Sequence, residues 1–336
     1  MFNDYLKKYS FLSAIILFFI GAINYTVDPL WYGKGNKINA TNIAFNERLT
    51  KTNLYLHNAP KEKYDCLIFG SSRTTLLNTS LLKKNNCFNY SFSAGTAEDF
   101  FKYAKYIEEK GVSPKKVYIG VDAFNFDAER AIKHNIKIEE RLPLYQSYLF
   151  SKDTLKLSIN TILRRASLPR YYDDSFQVKV FEDTAEYKPK FIEQTSNNNS
   201  TCDFTRISYY KKLKALFPQA EFIAYVPPVS IWELYNKSYH RGILNCQLKG
   251  IHRVSQFFDA MYDFSYPSAV TANVANTYDG SHFYPQVNNT IAKVIEGRES
   301  NFGIRVDRMS VGEYQKFYRK RLKIFLKKLG KEKLFR

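Results

Sequence analysis

From Tyr64 onward the chain repeats one pattern: a short apolar run closed by glycine, serine, aspartate or proline, then apolar residues at helical spacing. The runs occupy residues 66–70, 87–92, 117–122, 222–226 and 261–264. Each is too short for a helix, and the first, Cys66-Leu67-Ile68-Phe69, is apolar throughout, which is how a strand covered on both sides of a sheet reads. Between them, helical periodicity joins Leu76, Leu77, Leu81 and Leu82, then Phe100, Tyr103, Ala104 and Ile107. It returns at Ile207, Tyr210, Leu213 and Phe217, at Leu248, Ile251, Val254 and Phe258, and at Val287, Ile291, Val294 and Ile295. Thr96 is placed to cap the second helix, with Glu98 and Asp99 in the first turn where they complement its dipole. Strands alternating with helices predict an α/β fold, a mostly parallel sheet wrapped by helices. Such sheets carry their chemistry at the C-terminal strand ends. Ser72, Gly95, Asp122, Pro228 and the 279–282 loop all fall there.

The alternation breaks between about residues 127 and 200, a polar, mixed stretch that reads as an insertion able to cover a site or bind a partner. Residues 28–63 read as a lead-in from the N-terminal segment, 64–297 as the main domain, and 298–336 as a basic amphipathic tail. The N-terminal segment sets the compartment. Residues 9–27 are uncharged, with Tyr9 and Tyr25 as interfacial aromatics, and approach the roughly 20 residues that cross a bilayer. Lys7 and Lys8 precede them and Asp28 follows, which leaves residues 1–8 as a cytoplasmic stub and everything after Asp28 outside the cytoplasm. A cleaved signal peptide is the competing reading. The candidate positions for its small-x-small site, Ile20 and Ala22, then Asn24 and Thr26, argue against it.

Fifty Lys and Arg against 32 Asp and Glu leave a net charge of +18, which attracts anionic partners in general. Residues 309–336 hold ten Lys/Arg and two Glu, so eight of those excess charges are gathered in the tail. No helix-turn-helix, zinc-finger spacing or aromatic ribonucleoprotein motif accompanies them, which argues against a nucleic-acid partner. Tyr314, Phe317, Tyr318, Leu322, Phe325 and Leu329 recur there at helical spacing. A helix of this kind suits an anionic membrane surface or packing on the domain with a solvated basic face. Cys66, Cys87, Cys202 and Cys246 lack metal-ligand spacing. Outside the cytoplasm Cys202 and Cys246, in polar surroundings, are the expected disulfide pair; four free thiols remain the alternative.

Two short runs carry the chemistry. Phe69-Gly70-Ser71-Ser72-Arg73 ends an apolar strand on two hydroxyls, and Asp279-Gly280-Ser281-His282 places a carboxylate three residues before an imidazole. Acyl transfer through a serine needs a hydroxyl, a base and a carboxylate that fixes the base's tautomer, here Ser72, His282 and Asp279. Ser72 as a helix cap, and Asp263 in place of Asp279, are the competing assignments. Of the other histidines, His57, His134 and His252 lack a carboxylate at that spacing in a strand-end loop, and His240 sits in a basic run. Arg73 is placed to hold an anionic glycan or to pair with an acid. Trp232, after Pro227-Pro228, is placed to stack on a sugar or to pack at the rim of the core.

Together these residues resemble the SGNH (GDSL-type) hydrolase superfamily over residues 64–297 apart from the insertion. Ser72 occupies the nucleophile position of the first block. Residues 89–96 are similar to the second block, whose glycine amide binds the oxyanion; the glycine comes one place late, so Ala94 or Gly95 would donate. Gly120-Val121-Asp122 stands where the family has Gly-x-Asn, and an ionised Asp122 cannot donate to an oxyanion. The resemblance leaves three ways out: a protonated Asp122, Asn125 in its stead, or a weaker hole. Gly-Ser-Ser in place of Gly-Asp-Ser, behind one anchor, looks like the branch that contains the D-alanyl lipoteichoic acid protein DltD and the alginate O-acetylation proteins. The resemblance implies a three-layer sandwich and needs no cofactor or metal. It also implies acyl transfer to, or removal from, a cell-surface glycan, the acyl group being acetyl in particular, beside a membrane-bound O-acyltransferase at the bacterial inner membrane. The alternative it leaves is a non-catalytic relative that binds glycan or scaffolds the acyltransferase.

Overall fold

The structure is a computed structural model and describes residues 2–130, 145–192 and 200–335. In chain order the elements begin with α1 (Phe2–Val27), α2 (Glu47–Glu62), β1 (Cys66–Phe69), β2 (Cys87–Asn89), α3 (Ala97–Glu108) and β3 (Lys116–Gly120). Then come α4 (Tyr145–Leu149), α5 (Lys152–Ile162), β4 (Arg170–Tyr172), β5 (Val178–Val180), α6 (Ile207–Leu216) and β6 (Glu221–Val226). The last are α7 (Ile231–Leu234), α8 (Leu244–Ser255), β7 (Ala260–Asp263), α9 (Pro285–Ile295), β8 (Ile304–Arg305) and α10 (Val311–Lys328). The chain divides into two compact units, one from Met1–Glu62 with Lys137–Thr184, the other from Lys63–Ile136 with Ala185–Arg336.

The second unit holds the sheet. Its six strands run in the order β2-β1-β3-β6-β7-β8, parallel except for β8, which pairs antiparallel on β7. Each of the five expected apolar runs holds a strand, though β2 stops at Asn89 short of the expected 87–92, and the fold is mixed α/β with a mostly parallel sheet. Successive side chains alternate between the two faces. Cys66 and Ile68 pack with Tyr118, Ile223 and Tyr225 against Ile291 and Ile295 of α9. Phe69 points the other way, toward Phe100 of α3, with ring centroids 6.5 Å apart. Thr96 and Asp99 form a reciprocal capping box at the start of α3.

One expected helix does not form. The leucines at 76, 77, 81 and 82 lie on turns and a single 3-10 turn at Thr79–Leu81. Asn89 explains why: its Nδ2 donates to the carbonyls of Thr74, Thr75 and Leu77 at 3.1, 3.4 and 3.2 Å. Those are carbonyls that an α-helix would offer to its own amides four residues on.

The tail is not a separate appendage. Tyr314, Tyr318, Leu322 and Leu326 of α10 are buried in the second unit, and the hydroxyls of Tyr314 and Tyr318 both donate to the buried carboxylate of Asp263. Asp263 therefore serves α10 and is no rival for His282. Burial pushes the Asp263 pKa above the usual carboxylate value even though two tyrosines and Ser265 donate to it.

Residues 28–63, expected as a lead-in, are folded. Asp28 accepts the amides of Tyr32, Gly33 and Gly35 and the hydroxyl of Tyr148. Glu47 on α2 accepts from Arg170 and Tyr172 of the β4–β5 hairpin, at 3.0 and 2.7 Å. The lead-in and much of the expected insertion thus build the first unit together, joined by polar contacts more than a hundred residues apart in sequence. In α1, residues 4–27 are long and apolar enough to cross a membrane, with a mean hydropathy of 1.9 over the most apolar 18-residue window.

Two disulfides are formed, the expected Cys202–Cys246 pair and a second, Cys66–Cys87, outside that expectation. Cys66–Cys87 joins the paired residues that open β1 and β2, and Cys202–Cys246 ties the segment after the insertion to α8.

Candidate active site

Strand β1 lies between β2 and β3, is buried along its whole length, and stops at Gly70. The chain then turns at once: Thr74 N–H donates to Ser71 O at 2.9 Å and Thr75 Oγ1 to Ser72 O at 2.7 Å. A Cβ on either Gly70 or Gly120 would collide with Thr74 Oγ1. The two glycines let this turn press onto the end of β3, and Ser72 is left at the C-terminal edge of the sheet.

His282 comes from the loop before α9. Thr277 Oγ1 donates to His282 O and accepts Gly280 N–H, so the loop closes on itself. Gly280 has φ +80°, and a Cβ there would also strike Tyr187 and Ser230, so only glycine fits. Asp279 Oδ1 accepts the amides of Ser281 and His282 at 2.8 and 2.7 Å, and its Oδ2 lies 2.7 Å from His282 Nδ1. His282 Nε2 lies 2.8 Å from Ser72 Oγ. The three residues read from sequence therefore form one chain of hydrogen bonds across 210 residues. Burial works against ionisation of Asp279, but the His282 ring and two backbone amides outweigh it and hold its pKa below the usual value. The Tyr278 ring lies parallel to the imidazole with centroids 5.5 Å apart.

The other expected residues take different places. Arg73 Nη1 pairs with Asp122 Oδ1 at 2.8 Å, and Arg73 Nε and Nη2 both donate to Ser281 Oγ. Asp122 is fully buried and holds Arg73. Asn125 is used locally: its Oδ1 accepts Ala97 N–H and its Nδ2 donates to Asp122 O. Gly95 N–H donates to Phe92 O, and a Cβ there would meet Phe100 and Gly70 O, so this glycine serves close packing. Ala94 adopts φ +52°, a left-handed conformation that costs an alanine about 1–2 kcal/mol. Among the described residues, the amides of Ser72 and Ala94 donate to no protein acceptor.

His252 contacts Met309 O, His240 lies beside Tyr235, and His57 lies beside Tyr32 in the first unit; His134 is outside the described residues. Trp232 packs against Phe191 and Phe325. Among the described residues no three His, Cys, Asp or Glu side chains gather as metal ligands would.

A cavity of about 310 Å³ opens beside the triad, lined by Arg73, Phe124, Asp127, Pro227, Gln247 and Ser281 among others. Its charges are matched: Arg73 with Asp122, Arg241 with Asp127 and Glu129, Lys237 with Glu233, Asp279 with His282. Gln247 is 3 % exposed, and its Oε1 has no hydrogen-bond partner. The Cys202–Cys246 disulfide braces this wall, since Cys246 precedes Gln247 and Cys202 bridges to Asp127.

Sequence reasoning missed Asn89, Ser281 and Gln247. Asn89 and Ser281 stood inside the recognised runs, but their roles depend on carbonyls and a guanidinium brought in from elsewhere. Gln247 carries no local signal. A search of protein-family models gives no match to this chain, and a search of curated proteins gives none either.

Proposed function

We propose that the second unit is an SGNH-like serine esterase or O-acyltransferase. On this reading α1 anchors it in the bacterial inner membrane with the catalytic unit on the periplasmic side, where it acts on O-acetyl groups of a surface polysaccharide. The carrying observation is the Asp279–His282–Ser72 chain, with contacts of 2.7 and 2.8 Å. Ser72 Oγ attacks the acyl carbon as His282 Nε2 takes its proton, and Asp279 keeps the imidazole in the tautomer that can accept. Charge growing on the carbonyl oxygen is met by the free amides of Ser72 and Ala94. His282 then protonates the departing alcohol, leaving acyl-Ser72. A sugar hydroxyl or water, deprotonated by the same imidazole, attacks that ester and releases Ser72.

The resemblance asks for an asparagine at position 122, and the aspartate there favours the second reading, a glycan-binding or scaffold partner of a membrane-bound O-acyltransferase. The pairing of Asp122 with Arg73 gives the aspartate another task and weakens that support. The cavity is read as the seat of one uncharged sugar unit. Among the described lining residues each cation is paired with a carboxylate, which disfavours an anionic sugar, and Gln247 Oε1 accepts a hydroxyl. The test is acetate release from, or transfer onto, O-acetylated surface polysaccharide. Wild-type protein should do one of these, and Ser72→Ala neither, at an unchanged melting temperature. Equal turnover by a folded Ser72→Ala protein moves the weight to the scaffold reading.

A further inference from the structure

Helix α5 is built inside out. Its buried positions are Thr154, Ser158 and Thr161, whereas Ile159 and Ile162, with Leu163 just beyond, are 40, 48 and 52 % exposed. Phe150, in the turn before the helix, is 51 % exposed. Polar residues inward and apolar residues outward is the reverse of what water favours. The polar face has partners that fix its direction. Ser158 Oγ donates to Asn24 Oδ1 at 2.9 Å, and Thr161 Oγ1 accepts Ala44 N–H at 3.2 Å. The apolar face is therefore held outward.

What it meets follows from α1, which belongs to the same unit. Asn24 Nδ2 donates to Leu149 O at 2.7 Å, so the turn that leads into α5 meets α1 where its apolar run gives way to polar residues. Phe150 lies against Gly21, inside that stretch; a Cβ on Gly21 would be 3.1 Å from its ring. The outward face of α5 thus continues the exposed apolar surface of α1, where Phe11, Phe18 and Phe19 are also exposed. Lys152, Lys156, Arg164 and Arg165 are exposed around it, with Asp153 between the lysines. Long basic side chains can lay their stems on apolar surface and their charges among anionic headgroups.

We propose that Phe150, Ile159, Ile162 and Leu163 sit in the interfacial layer of the bilayer that α1 spans, with the four basic residues against anionic lipid headgroups. The proposal rests on reading α1 as a membrane span, and the experiment separates the two. Full-length protein carrying Ile162→Trp is placed in nanodiscs of phosphatidylethanolamine and phosphatidylglycerol, with and without bromine on the acyl chains. The fluorescence added over the parent protein is then compared with that added by Phe18→Trp. Both added signals should fall at least twofold with brominated lipid, and the one at 162 should resist aqueous acrylamide. Quenching at 18 but not at 162 overturns the proposal and leaves the span intact. Quenching at neither removes both. Leu163→Trp repeats the measurement should Ile162→Trp fold poorly, with the same outcomes.

Discussion

Replacing Asp279 with asparagine separates the two tasks of that carboxylate. Oδ1 holds the amides of Ser281 and His282, and Oδ2 holds His282 Nδ1. Asparagine keeps the first task, because its amide oxygen also accepts. It inverts the second: its NH₂ donates to Nδ1 and moves the imidazole proton to Nε2. Nε2 then presents a hydrogen across the 2.8 Å contact to Ser72 Oγ and cannot take the hydroxyl proton. Tautomer inversion of this kind costs about 10⁴-fold in rate, or about 5 kcal/mol of barrier. Loss of a triad nucleophile costs about 10⁶-fold. Asp279→Asn should therefore retain about a hundred times the activity of Ser72→Ala, read as initial rates on p-nitrophenyl acetate beside thermal melts. A pH signature accompanies it. The Asp279 pKa is depressed in the folded protein, so its contribution to stability is present above the ordinary carboxylate pKa of about 4 and is lost as pH falls through the folded value. Asp279→Asn should lack that acid loss. A folded Asp279→Asn protein within tenfold of wild-type rate would refute the assignment of Asp279 as the orienting group.

Other outcomes follow from the packing. Arg73→Ala leaves Asp122 buried and unpaired, which should cost about 3–5 kcal/mol in denaturant unfolding; a loss under 1 kcal/mol contradicts the role given to Asp122. Replacing Cys66 and Cys87 together by alanine should cost about 3 kcal/mol for the 21-residue separation, and a change within 0.5 kcal/mol speaks against that bond. Asp263 has a raised pKa, so its protonated form stabilises the fold below about pH 4 and that contribution is lost as pH rises through the folded value. Asp263→Asn should flatten this part of the stability–pH curve, and an unchanged curve would argue against it. An alkaline phosphatase fusion at Arg336 should be active, and an inactive fusion would overturn the single-span topology.

The strands of the second unit were legible because a buried parallel sheet writes itself as short, continuous apolar runs. The meeting of Ser72, His282 and Asp279 was legible for a related reason: strand ends and tight loops have local signatures, such as Gly70 before two hydroxyls. What stayed hidden depends on partners distant in sequence. The helix expected after β1 fails because Asn89 captures the turn's carbonyls, a contact no periodicity encodes. Asp122 looked like a misplaced oxyanion donor until Arg73 supplied its partner, and Gly95 and Asn125 proved to be packing and hydrogen-bonding elements of the adjoining turns. Residues 28–63 read as a lead-in because many of their buried groups, among them Asp28, Glu47 and Lys51, are polar and dilute the apolar pattern of Leu30, Trp31, Ile43, Leu54 and Tyr55. Polar groups can be buried only when partners satisfy them, and Tyr148, Arg170 and Tyr172 lie beyond residue 144. The basic tail gave its helix but not its docking, which depends on Asp263 receiving two tyrosine hydroxyls.

The central claim is that Ser72 is a nucleophile activated by His282. Purified full-length protein treated with a fluorophosphonate probe, digested and analysed by mass spectrometry, tests it without knowledge of the substrate. The account predicts one adduct, on Ser72, lost in Ser72→Ala and formed at least a hundredfold more slowly in His282→Ala. A folded wild-type protein that takes no label, or takes it on a serine other than Ser72, would contradict it.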